Sequence, residues 1–293
     1  MVNFVADQAE GLRKILGQGG LQVITVMSGQ RRDGKTAAVS NLAVAIARLG
    51  REVLVLDQDS GGRGVCAMLG IEPKGDLFEV VSRRAALADI ILTTPDGVQV
   101  LPMGGSFEQL ARLSAPQQEI LEQAFATLQR TADVILVDSP NGCDPASLPP
   151  GLAGAEIVVL MSPSTESIKQ GYVLVKKLAQ DFGKRRFRLL MNRVTNPEEA
   201  RVIAANFAQT AESYLGVAAD YVGFVPHDER LARAGSLRKS VVDAFPIAES
   251  TVQFRRLADG LLRWPRAVEL GELGGFMGNL LQGRRLLGAC KRA

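Results

Sequence analysis

The sequence predicts a doubly wound α/β domain built on a mostly parallel sheet, and three observations carry that expectation. Short runs rich in aliphatic and β-branched residues recur along the chain, segments with helical apolar spacing separate them, and several runs are apolar throughout. Unbroken apolar runs mark strands buried on both faces, and a helix after a strand supplies the cover for one face.

In chain order the strand-like runs are LQVITVMS (21–28), EVLVLD (52–57), VQVLP (98–102), DVILVD (133–138), EIVVLMS (156–162), FRLLMN (187–192) and YVGFVP (221–226). Helical spacing is clearest from Thr36 to Leu49 and from Gln117 to Thr131. With no internal repeat and no long Pro/Ser linker, one domain over 21–265 is expected. Residues 1–20 form a tail: the amphipathic DQAEGLRKIL is set off by Gly17, Gln18, Gly19 and Gly20. Residues 266–293 form a second appendage, with Leu270, Leu273, Phe276, Met277, Leu280 and Leu281 at three- and four-residue intervals and Arg284, Arg285, Lys291 and Arg292 near its end. Glycines at 271, 274, 275, 278 and 283 weaken that amphipathic helix by about 1 kcal/mol each relative to alanine. Lipid or protein contact would have to make up the difference.

Composition narrows the function. The chain has 293 residues, 46% of them apolar, enough for a sizeable core. With 34 Lys+Arg against 31 Asp+Glu, a net charge of +3 gives nucleic-acid binding little support. Cys66, Cys143 and Cys290 lie far apart and His227 is the single histidine, so neither a disulfide framework nor a zinc site is expected. No leader pattern and no apolar window near twenty residues occurs, which points to a cytoplasmic protein that does not span the membrane.

The chemistry centres on GQRRDGKT, which fits GxxxxGK[ST] in full: Gly29, Gln30, Arg31, Arg32, Asp33, Gly34, Lys35 and Thr36. The glycines let the backbone turn its N–H groups around a phosphate. The helix that begins near Lys35 and Ala37 aims its positive end at the same place. Lys35 would contact the β- and γ-phosphates of ATP, and the Thr36 hydroxyl would ligate Mg²⁺. Asp57 and Asp59 leave the second strand and Asp138 leaves the fourth. A carboxylate there can hold Mg²⁺ through water or orient the water that attacks the phosphate, or it can simply cap the next turn. GxGxxG is missing from this turn, which disfavours a dinucleotide site.

With these residues in view, the chain resembles the MinD/ParA group of deviant Walker ATPases and, within it, the FlhG/FleN family that sets flagellar number and placement. The resemblance rests on DQAEGLR (7–13), the phosphate loop, SNLAVAIARLG (40–50), VLVLDQD (53–59), VILVDSPNG (134–142), LLMNRV (189–194) and YVGFVPHDERLARAGSLRKSVVDAFP (221–246). It implies a slow ATPase that forms an ATP-dependent homodimer, with Asp59 placing the attacking water and Asn192 and Pro226 meeting the adenine. It implies that Asp7, Gln8, Leu12 and Arg13 stimulate an SRP-type GTPase partner, FlhF. It further implies that Leu273, Phe276, Met277, Leu280 and Leu281 meet anionic lipid, holding the protein reversibly at the inner face of the cytoplasmic membrane. Flagellar C-ring components or a flagellar transcription regulator are additional partners of the kind the resemblance suggests, and no specific nucleic acid is expected.

The chain also departs from the family. The usual loop is KGGxGKT, whose first lysine reaches the partner's nucleotide; here Gln30 holds that place, and Arg31 and Arg32 replace two glycines. Gly64 stands where asparagine is common after the second strand. Two functions therefore stay open, an ATPase in which an arginine supplies the cross-dimer charge, and a nucleotide-sensing scaffold with little turnover. A ParA-like partition or MinD-like division protein is disfavoured by DQAEGLR.

Overall fold

The computed structural model describes residues 21–58, 64–105, 107–110, 112–126, 132–139 and 156–264. The N-terminal tail, the C-terminal amphipathic segment and Asp59 lie outside the described residues.

The chain runs β1 (Gln22–Met27), α1 (Lys35–Arg48), β2 (Val53–Asp57), α2 (Val65–Met68), α3 (Leu77–Val81), α4 (Leu87–Ile90), β3 (Leu92–Thr93) and β4 (Gln99–Pro102). It continues with α5 (Phe107–Leu110), α6 (Ala115–Ala126), β5 (Val134–Asp138), β6 (Glu156–Met161), α7 (Thr165–Phe182), β7 (Arg186–Val194) and α8 (Pro197–Leu215). It closes with β8 (Ala218–Pro226), α9 (Glu229–Ser236), α10 (Val241–Ala244) and α11 (Glu249–Leu261). All seven predicted runs are strands. The short β3 was not predicted, and β8 begins three residues before its predicted start.

Among the described residues the strands form one sheet in the order β3-β4-β2-β5-β1-β6-β7-β8. Every pairing is parallel except β3 with β4. Side chains alternate across it. Val23, Met27, Leu56, Val137 and Met161 face one core with α3, α6, α7 and α8, while Ile24, Val26, Val55, Leu136 and Leu160 face a second core with α1 and α11. Because β1 and β2 flank β5, the carboxyl ends of three parallel strands meet beside the loop into α1, where α/β sheets bind ligands.

Local chemistry sets the long helices. Ser164 caps α7 through the Ser167 amide, and Gly183 ends it at φ 65. Asn196 caps α8, Pro197 opens it, and Gly216 closes it at φ 63. At the lower edge of the sheet Arg188 is 12% exposed, paired with Glu156 and Asp220 and lying 4.7 Å beneath the Trp264 ring. It is a packed residue of the sheet.

Candidate functional site

β1 delivers the chain to Ser28, and residues 29–34 turn it into α1. The two loop glycines answer different constraints. A side chain at Gly29 would run into the α7 backbone at Gln170 and Gly171, whereas Gly34 adopts φ +91 and would place a Cβ 2.5 Å from Asn192 Nδ2. Among the described residues no side chain caps the first turn of α1. Its leading amides and its dipole therefore face the loop, ready for an anion.

Lys35 and Thr36 both converge on Asp138. The Lys35 ammonium lies 2.5 Å from Asp138 Oδ1, the two side chains being 3% and 1% exposed, and it also donates to the Ser139 carbonyl. The Thr36 hydroxyl donates to Asp138 Oδ2 at 2.7 Å. A hydroxyl and a carboxylate so placed are the hard oxygen donors that Mg²⁺ takes alongside phosphate oxygens and water, and the lysine supplies a cation for phosphate. These residues fit Mg·ATP.

The loop is braced from behind by contacts the sequence did not disclose. Asp33 is buried, with Ser28 Oγ 2.7 Å and Ser167 Oγ 2.8 Å from Oδ2 and Ser162 Oγ 3.3 Å from Oδ1. Ser28 also lies 2.9 Å from the Gln30 carbonyl and accepts the Gln30 amide at 3.3 Å. Asn192 donates Nδ2 to the Asp33 carbonyl at 2.6 Å, reaching the loop from a bulge in β7 where Arg193 takes φ 57. Arg31 and Arg32 are exposed, and Arg32 adopts φ 70. The one trace of this brace in the sequence is a Met-Ser pair ending both β1 and β6.

Asp57 is the register partner of Asp138, yet its carboxylate serves the fold. Oδ2 accepts the Cys66 amide at 3.2 Å, and a side chain at Gly64 would collide with the same carboxylate, which accounts for glycine at that position. Burial, and after it the charge and hydrogen bond of Asp57, push the Cys66 thiol up to about 12. Pro226 is buried at the end of β8 opposite Val194, so the structure brings it to the same end of the sheet as Asn192. His227 is exposed, its amide bonded to the Val194 carbonyl at 2.9 Å. Among the described residues no group of three or more His, Cys, Asp or Glu is placed to hold a metal on its own.

A loop that presents backbone amides at a helix start, next to a lysine and a threonine facing a strand-end aspartate, defines the P-loop nucleotide-binding proteins. The profile of the CobQ/CobB/MinD/ParA nucleotide binding domain matches residues 24–241, and the chain belongs to that family. Within it the chain is 35% identical over 263 residues to the antiactivator FleN of Pseudomonas aeruginosa, covering 89% of this chain and 94% of that one. It is 23% identical to the septum site-determining protein MinD of Bacillus subtilis over 82% of this chain and 89% of that one. Among solved structures, MinD of Aquifex aeolicus superposes with a TM-score of 0.62 at 20% identity, over 83% of this chain and 98% of the other. MinD of Pyrococcus horikoshii, solved with Mg-ADP, superposes with a TM-score of 0.61 at 20% identity, over 82% and 95%. These likenesses make the chain a MinD/ParA-type ATP-binding protein of the FleN (FlhG) branch.

Proposed function

We propose that the protein is a slow ATPase that works as a switch, cycling between a cytoplasmic monomer and an ATP-bound homodimer at the inner face of the cytoplasmic membrane to regulate flagellar number or placement. The observation that carries this reading is the convergence of Lys35 and Thr36 on Asp138 at the mouth of the loop. With nucleotide in the loop, the Lys35 ammonium would turn from the Asp138 carboxylate to the β- and γ-oxygens, and Thr36 and Asp138 would hold Mg²⁺. Mg²⁺ held there would neutralise charge that develops on the phosphates. Asp59 orients the attacking water, Asn192 and Pro226 meet the adenine, and Arg31 or Arg32 supplies the cross-dimer charge that Gln30 cannot.

Single-turnover hydrolysis of Mg·ATP with protein in excess tests the reading. Turnover by the native chain that is lost in Lys35→Ala and Asp59→Ala supports it. ATP bound but left intact by the native chain would replace it with the scaffold reading, which Gln30 in place of the lysine favours.

The appendages extend the proposal by their resemblance to the family. Residues 1–20, through Gln8, stimulate an FlhF-type GTPase, and the C-terminal stripe meets anionic lipid. C-ring components or a flagellar transcription regulator would read the ATP-bound dimer. Gln8→Ala should abolish the GTPase stimulation, and removing the residues after Pro265 should abolish ATP-dependent flotation with anionic vesicles. Unchanged behaviour in either variant would remove the corresponding partner from the proposal.

A further inference from the structure

Asp33 stands two residues before the phosphate-loop lysine and is 4% exposed, a costly place for a negative charge in a site that receives ATP. Its oxygens meet hydroxyls of the surrounding body: Ser28 at the end of β1, Ser162 just past β6 and Ser167 in the first turn of α7. Ser167 is itself fixed, since its hydroxyl accepts the Ser162 amide at 2.9 Å and its amide bonds the Ser164 hydroxyl at 3.2 Å.

The neighbouring backbone explains why the loop needs such an anchor. Arg32, immediately before Asp33, sits at φ 70, a left-handed conformation that sterics disfavour for a residue with a Cβ. A strained residue persists where its surroundings over-determine it. On the other side of Asp33, the Asn192 amide holds the Asp33 carbonyl at 2.6 Å. Because the peptide is planar and trans, that contact turns the Gly34 N–H the opposite way, away from Asn192.

We propose that Asp33 is a positioning residue for nucleotide binding: by tying the loop to the β6–α7 turn it holds Arg32 in its left-handed backbone and keeps the loop amides aimed at the phosphates. The inference rests on the nucleotide-binding reading and deepens it. It also makes the start of α7, whose second turn leaves no room for a side chain at Gly29 beside Gln170, part of the frame that shapes the loop.

The test is a thermodynamic cycle on ATP affinity of the full chain, by calorimetric titration. Asp33→Asn keeps the shape and one carbonyl oxygen but loses the charge-assisted bonds, and should weaken ATP by about tenfold. In an Arg32→Gly background, where the left-handed conformation carries no strain, the same change should cost less than about threefold. In an Arg32→Ala background, which removes the guanidinium but keeps the strain, the tenfold loss should remain. Ser167→Ala, which deletes a single donor, should give a smaller loss that Arg32→Gly also suppresses, and it serves if Asp33→Asn does not fold. Equal losses in all three backgrounds, or tighter ATP binding by Asp33→Asn, would overturn the proposal while leaving the nucleotide reading intact. No ATP binding by the native chain would instead overturn the nucleotide reading, and this inference with it.

Discussion

Asp138→Ala should destabilise the nucleotide-free protein by about 3 kcal/mol, and much of that loss should vanish once Lys35 is also replaced by methionine. The pair is enclosed, with Lys35 3% and Asp138 1% exposed and the charges 2.5 Å apart. Deleting one partner of a buried ion pair strands the other charge at a cost of about 3–5 kcal/mol. Two details bracket the loss. The ammonium keeps the Ser139 carbonyl, which argues for the lower end, while the Thr36 hydroxyl loses its acceptor, which adds about 1 kcal/mol. Lys35→Met retains the aliphatic stem and leaves the carboxylate with the Thr36 hydroxyl. Urea unfolding of the four proteins at pH 7 gives the coupling energy, which should reach about 2 kcal/mol. Losses that add to within about 0.5 kcal/mol would refute the reasoning, because they would mean that Lys35 and Asp138 do not hold one another in solution.

Two further predictions concern groups around the site. Burial pushes the Asp228 carboxyl up, but hydrogen bonds from the Ser250 hydroxyl and from the Arg230 and Ser250 amides, with the Arg230 charge, outweigh it and hold the group below its ordinary range. Its contribution is therefore complete above about pH 4 and is lost as pH falls through the lowered value. Asp228→Ala should cost about 1–2 kcal/mol at pH 7, and its urea midpoint should approach that of the native protein only as pH falls below about 4 and through the lowered value; a gap that does not narrow in acid would contradict this. Cys66 shifts the other way. With its thiol held up at about 12, it stabilises the fold below the unfolded thiol value near pH 8.5 and loses that contribution as pH rises. In a Cys143→Ser, Cys290→Ser background it should react with Ellman's reagent at pH 8 only as fast as the protein unfolds, and rapid labelling of the native state would be the contrary result.

The strands were legible because continuous apolar runs such as VITVM and VILVD suit a sheet buried on both faces. Their order was not, since nothing local in VILVD says that β5 inserts between β1 and β2. The same division runs through the site. Lys35 and Thr36 could be assigned from the loop motif, but their pairing with Asp138 joins residues more than a hundred positions apart, and only the sheet brings them together. Gly64 looked like a departure from a family pattern, and the structure gives it a cause in the Asp57 carboxylate that fills the space of a side chain. Asp33 was legible as a loop position and no more, because its partners Ser28, Ser162 and Ser167 come from two strand ends and a helix start.

The unusual loop also separates two kinds of requirement that a motif merges. Phosphate binding by backbone amides asks for a loop shape, and the shape tolerates Gln30, Arg31 and Arg32 so long as something else fixes the dihedral angles. Gly29 and Gly34 are different, since α7 leaves no room for a side chain at the first, and at the second a left-handed φ coincides with the Asn192 amide. Lys35 and Thr36 answer a third demand, because ammonium and hydroxyl act through their own atoms and no backbone arrangement can replace them. Replacing a loop glycine with arginine moves its cost from the unfolded chain's entropy to strain in the folded backbone. The side chains at Asp33 and Asn192 then become the restraint. A loop held by its neighbours in this way should be more sensitive to substitutions in the β6–α7 turn than one shaped by its own glycines. That sensitivity is what the Arg32→Gly background measures.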